Sequence, residues 1–209
     1  MNIRSLLELL HKEYTSPKTE LDNWTTTPQF MASVILSAQA TDKQVNKIAK
    51  SLFEKYSSVD DFANADINEL EIIVSSINYY KTKAKRIIDA NKFIKESFSG
   101  EIPKSIEELI KIPGIGRKSA NVILQETMGI SQGIVVDTHV TRVSNRLKLV
   151  ENQTNAEKIE KELMTKIPKN EWRFFSRSIV LHGRYVCKAK KPNCSECVLN
   201  KICPSAFKI

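Results

Sequence analysis

The sequence predicts an all-α protein, and three observations carry that reading. Apolar residues recur at helical spacing in one segment after another, and polar capping residues precede those segments. Only Ile134-Val135-Val136 has the β-branched character of a strand, too short to build a sheet. Six glycines and 7% aromatic residues are few for a β-rich chain, whose turns consume glycine. With 209 residues, 41% of them hydrophobic, the chain can bury a core as one large domain or two small ones.

The elements follow in order. Thr27 and Pro28 read as an N-cap and a first helical residue, because proline lacks only an N–H that the first turn leaves unpaired. Val45, Ile48, Ala49, Leu52 and Phe53 form one stripe, opened by a capping box of Thr41 and Gln44. Ser105 with Glu108, and Thr154 with Glu157, repeat that box. Ile159, Leu163 and Ile167 form another stripe, stopped by Pro168. The total is about ten helices with short connections, without a repeat, a low-complexity tract or a flexible linker.

Charge narrows the function. Thirty-two basic against 24 acidic residues leave a net charge of +8, which favours a polyanionic partner, most simply nucleic acid. No apolar run reaches the roughly 18 residues of a membrane span. Residues 1–12 contain no secretory h-region, so the expected compartment is the cytoplasm, with nucleoid association through DNA.

All four cysteines, Cys187, Cys194, Cys197 and Cys203, fall in one short window with the spacing C-x6-C-x2-C-x5-C. Disulfides are disfavoured by the missing secretory signal. A structural zinc usually draws on two C-x2-C knuckles, and here there is one. Four separately approaching thiolates suit an iron–sulfur cubane better, although spacing alone leaves both metals open.

Residues 109–122 carry the second signal. A helix opened at Ser105 must stop near Ile112, because a residue before proline is pushed out of the α region. Gly114 and Gly116 then read as positions open to positive φ, and a helix restarts near Arg117 and runs to about Gly129. A phosphate-binding P-loop is excluded because Arg117 separates Gly116 from Lys118, and a dinucleotide fingerprint lacks its third glycine and its strand. A helix-hairpin-helix at about 105–130 fits, and by itself implies DNA binding without sequence preference. Lys118 is either a phosphate contact or an amine nucleophile, its proton loosened by a helix N-terminus, by Arg117 and by partial burial. Asp137 is by default an N-cap; beside Lys118 it could stabilise an oxocarbenium-like sugar.

Five segments in order resemble the endonuclease III family of DNA glycosylases. They are residues 36–42 (LSAQATD), the hairpin at 112–121, Val136-Asp137-Thr138-His139 with Arg142-Val143 and Asn145-Arg146, Leu181-His182-Gly183-Arg184, and the cysteine spacing. The match covers nearly the whole chain. The resemblance implies a [4Fe–4S] cluster on the four cysteines and a bifunctional enzyme acting on double-stranded DNA that contains oxidised pyrimidines or abasic sites. Lys118 would attack C1′ and Asp137 would stabilise the sugar cation. Gln39 would fill the gap left by the flipped nucleotide, with Tyr79 as wedge on the opposite side. Gly114, Gly116 and Arg117 would meet phosphate, His139 falls in the DNA-contact set, and Lys188, Lys190 and Lys191 would form a basic loop shaped by the cluster. The implied architecture is a six-helix domain (21–132) and a cluster domain (1–20 with 133–209, cluster loop 187–203) with a DNA cleft between them, in a monomer.

One residue departs from the family pattern. Asn78 stands before the wedge where members usually have glycine, and the expectation is that it takes up the left-handed turn geometry asparagine tolerates. Two rivals remain. An adenine-mismatch glycosylase would lack the lysine, would carry a glutamate in the helix that here reads 34–39, and would need a further recognition domain. A non-catalytic hairpin protein would have no use for both Lys118 and Asp137.

Overall fold

Most helices in this chain begin where a short polar side chain can cap them. The computed structural model describes residues 2–208, and among these there are eleven α-helices and no strand. Eight starts carry a side-chain cap, from Asn2, Thr26, Thr41, Ser58, Asp66, Ser105, Asp137 and Asn155. Each cap occupies an amide the first turn cannot pair internally. The chain divides into two compact units, Thr19–Ile130 and the segments Met1–Lys18 with Ser131–Ile209.

The first unit holds α2 (Thr27–Leu36), α3 (Asp42–Lys55), α4 (Val59–Ala63), α5 (Ile67–Val74), α6 (Tyr80–Ser97), α7 (Ile106–Leu109) and α8 (Arg117–Ile123). Its centre is α2, buried from Pro28 to Leu36, as a helix apolar on all sides must be. α6 packs against α2, α4 and α5, contributing Ile87 and Ile94 to a core with Phe30, Leu52, Phe62 and Leu70. Each such side chain contributes roughly 1.5–3 kcal/mol by leaving water. Gln29 is the polar exception inside this core. Its Oε1 accepts from the Thr25 amide at 2.8 Å, and its Nε2 donates to the Phe53 and Tyr56 carbonyls at 3.1 Å. One amide side chain therefore closes the α2 cap and ties down the end of α3.

The second unit contains α1 (Ile3–Glu13), α9 (Thr138–Arg146), α10 (Ala156–Lys166) and α11 (Trp172–Tyr185). Leu6, Leu10, Val140, Val143, Ile159, Leu163, Phe175 and Ile179 form its core, with Leu199 of the cysteine segment joining them. The stripe Ile159, Leu163, Ile167 is buried as its spacing requires. His11 stacks on Phe174 at 3.6 Å and meets Glu171 at 2.9 Å, fixing α1 to α11.

Several boundaries differ from the sequence reading. The cap of α2 is Thr26, because Gln29 three residues later closes the box, so Pro28 sits one place further in. The cap of α10 is Asn155, which accepts from Lys158, since Gln153 already holds the amides of Thr154 and Asn155. The helix after the hairpin changes at Leu124 to a π-helical turn through Met128, ending at Gly129 with φ 69°. Ile134-Val135-Val136 is a buried segment that forms no strand, and its Val135 amide donates to Ser176 Oγ at 3.0 Å. Its β-branched residues answer to burial rather than to a sheet.

Candidate functional site

Three clusters of residues carry chemistry, two in the unit of residues 19–130 and one in its partner unit. The first is the hairpin between α7 and α8. α7 ends at Leu109, and the Ile115 amide donates to the Ile112 carbonyl at 3.1 Å to close the turn. Gly114 lies at φ 84°, where a side chain would be strained, although an added Cβ would make only ordinary contact with Arg86 at 3.5 Å. Gly116 differs from the sequence expectation: it is extended at φ −91°, caps α8, and an added Cβ would meet nothing within 4 Å. The fold does not require glycine there. Lys118 stands exposed in the first turn of α8, beside half-buried Arg117. The partial burial expected for Lys118 is absent, because its α8 neighbours Ala120 and Asn121 take the inward face.

The second cluster joins two turns. Gln39 follows α2 at φ 54°, and Tyr79 precedes α6 at φ 58°, 68% exposed. The left-handed residue is thus Tyr79 and not Asn78. Asn78 instead donates its side-chain Nδ2 to the Gln39 carbonyl at 3.4 Å. Lys83, 2% exposed, donates Nζ to the carbonyl of Leu36, the last residue of α2, at 2.9 Å. Burial and the neighbouring Arg86 charge hold its ammonium below the ordinary lysine range.

The third cluster gathers the cysteines. All four are half-buried, none forms a disulfide, and all line one cavity with Val143, Leu147 and Leu199. Burial, with the other thiols nearby, pushes Cys197 up to about 11 and raises Cys203. Thiols raised in this way are held as thiolates only with cationic compensation, which the irons of a cluster would provide. Four thiols lining one cavity suit a body with four attachment points. The fit extends to their surroundings. Arg146 donates to Cys187 Sγ at 3.3 Å and to the Lys188 and Ala189 carbonyls at 2.7 and 2.9 Å. Arg142, one turn earlier, donates to the Gly183 and Cys187 carbonyls at 2.7 and 3.2 Å. His182 Nε2 lies 3.4 Å from Cys197 Sγ, and Tyr14 Oη lies 3.1 Å from Nδ1. Burial lowers His182 to about 4, and burial raises Tyr14 to about 12, so a neutral imidazole faces a protonated phenol at neutral pH.

The remaining residues named from the sequence lie in the same unit. Lys188, Lys190 and Lys191 are exposed on the cysteine loop. His139 is half-buried, its Nδ1 3.2 Å from Arg142. It explains Gly183, where any Cβ would fall 2.8 Å from that of His139. Asp137 caps α9, its Oδ1 accepting from the Val140 amide at 2.8 Å. Arg142, Arg146 and His182 stood inside the family motifs but were given no role from sequence, and Lys83 was not named at all. The i, i+4 spacing of the two arginines was a further signal, since it places both on one face of α9.

Comparison with known proteins agrees with this arrangement. Residues 32–169 match the model of the HhH-GPD superfamily base excision DNA repair proteins, and residues 187–203 match the iron-sulfur binding domain of endonuclease III. Endonuclease III of Synechocystis is 44% identical over 96% of this chain and 91% of its own. That of Bacillus subtilis is 42% identical over 84% and 80%. A solved non-covalent endonuclease III–DNA complex superposes with a TM-score of 0.90 at 38% identity, over 99% of this chain and 95% of that one. The chain therefore belongs to the endonuclease III family of base excision repair enzymes, DNA glycosylases with AP lyase activity that carry a [4Fe–4S] cluster.

Proposed function

We propose that this monomeric enzyme excises oxidised pyrimidines from duplex DNA and cleaves the strand 3′ to the resulting abasic site, with Lys118 as nucleophile and Asp137 as the assisting carboxylate. The observation that carries the reading is the hairpin: it presents an amine, Lys118, in the exposed first turn of α8, two residues past a glycine the fold itself does not need. An exposed first turn beside Gly116 leaves room for a phosphate backbone to approach closely. A base inside a duplex hides its sugar C1′, so the nucleotide must first leave the stack. Gln39 and Tyr79, both exposed, suit the vacated space and the opposing strand.

The chemistry balances without a further reagent. The Lys118 amine adds to C1′, the glycosidic bond breaks, and the base leaves with its electron pair and a proton. Asp137 carries the negative charge that steadies the electron-poor sugar. The C1′–O4′ bond then opens as O4′ takes a proton, leaving an imine that acidifies C2′. The C2′ proton is removed as the C3′–O bond breaks and the oxygen leaves with its phosphate, and water then releases Lys118. Gly114, Gly116, Arg117, His139, Lys188, Lys190 and Lys191 are proposed DNA contacts. The cluster's contribution is to shape the basic loop that Arg142 and Arg146 hold by its carbonyls.

Borohydride reduction tests this reading. With a thymine-glycol duplex, wild type is expected to yield a covalent enzyme–DNA adduct, and Lys118→Gln none while still binding the duplex. Wild type that gives no adduct overturns the mechanism.

A further inference from the structure

Gln39 and Tyr79 are both non-glycine residues in the left-handed region, at φ 54° and 58°. That conformation is disfavoured for residues with a Cβ and persists only where surroundings hold it. Two neighbouring side chains do the holding. Lys83, in the first turn of the helix that Tyr79 opens, buries its ammonium at 2% exposure and donates it to the carbonyl of Leu36, the last residue of α2, at 2.9 Å. Asn78 joins the tips directly, donating to the Gln39 carbonyl at 3.4 Å. A buried ammonium is costly to place, and an apolar side chain would fill the space more cheaply. What the ammonium supplies is a fixed link from the end of α2 to the start of α6. Ile77, 1% exposed, anchors the same turn from within while Tyr79 projects into solvent.

We propose that Asn78 and Lys83 are positioning residues that hold the Gln39 and Tyr79 tips as one preformed wedge, so that both enter the duplex together when a paired nucleotide is extruded. This rests on the roles proposed above for Gln39 and Tyr79. The side chain of Asn78 supplies this link between the turns. The link matters only when a stacked, paired base must be displaced. A preformed abasic site has no base to remove and escapes most of the penalty.

The test compares single-turnover cleavage of two duplexes of one sequence, one with thymine glycol opposite adenine and one with a preformed abasic site. Asn78→Asp keeps the side-chain shape and removes the N–H donor. It is expected to slow the paired lesion about tenfold, the scale of one hydrogen bond, and the abasic duplex less than about twofold on that scale. Lys83→Met is expected to move the same ratio in the same direction. If Lys83→Met folds poorly, Asn78→Asp, at an exposed position, decides alone. Equal losses on both duplexes, or no loss on either, overturn the proposal, because a merely structural role would act on both alike. Failure of the parent reading shows separately, as wild type that forms no borohydride adduct with the abasic duplex.

Discussion

At the residue scale, Asp137 has an observed role and a proposed one, which chemistry can separate. Its carboxylate caps α9 through Val140, which accounts for an aspartate at that place without any catalysis. Asparagine caps nearly as well but carries no charge. Asp137→Asn is therefore expected to change stability by less than about 0.5 kcal/mol, while strand cleavage falls steeply. Asp137→Ala should lose activity together with about 1 kcal/mol of stability from the missing cap. Thermal unfolding and cleavage measured on both variants check this, and an active Asp137→Asn would remove the carboxylate from the mechanism. Lys118 differs from Asp137 in having an exposed, surface position, so its selection rests on chemistry rather than on packing.

At the element scale, the stripes and caps were legible because they depend on local periodicity. The capping box of Thr41 and Gln44 and the burial of Val45, Ala49, Leu52 and Phe53 match the reading. The caps of α2 and α10 slipped by one residue, since Gln29 and Gln153 make their bonds to neighbours that spacing alone does not rank. Gln29 shows the limit most clearly. The Thr26-x-x-Gln29 spacing marks its capping role, but nothing in the sequence marks its bonds to the end of α3, across 24 and 27 residues of chain. Gln29→Leu should cost about 2–4 kcal/mol, because it orphans buried carbonyls and amides along with removing the bonds. A urea denaturation midpoint reports this; a loss under about 1 kcal/mol would mean water replaces the amide.

At the scale of the whole molecule, the cysteine loop is built into the second unit rather than appended to it. Leu199 enters that unit's core, and Arg142 and Arg146 of α9 hold the loop by its carbonyls. The pure protein should be brown, absorbing near ~400 nm as thiolate-bound iron–sulfur clusters do. Chelation of the iron should bleach that band and weaken DNA binding, since the three exposed lysines lose a defined loop. Colourless protein with one zinc per chain would contradict the cluster. Arg146→Gln should leave the iron content high yet speed the bleaching, because it removes a charged donor from Cys187 Sγ.

By itself the sequence determined the helical class, the hairpin, the cysteine set and, through five ordered motifs, the family. Each of these is written in local spacing or in residue chemistry, which survives without coordinates. Only the tertiary structure decided that the left-handed strain sits on Tyr79 and not Asn78, that Gly116 is extended, and that Lys118 is exposed. It also brought Lys83 to Leu36 across 47 residues and Arg146 to the cysteine loop across more than 40. Such contacts depend on which faces pack together, and a packed face draws its partners from residues that periodicity treats as unrelated.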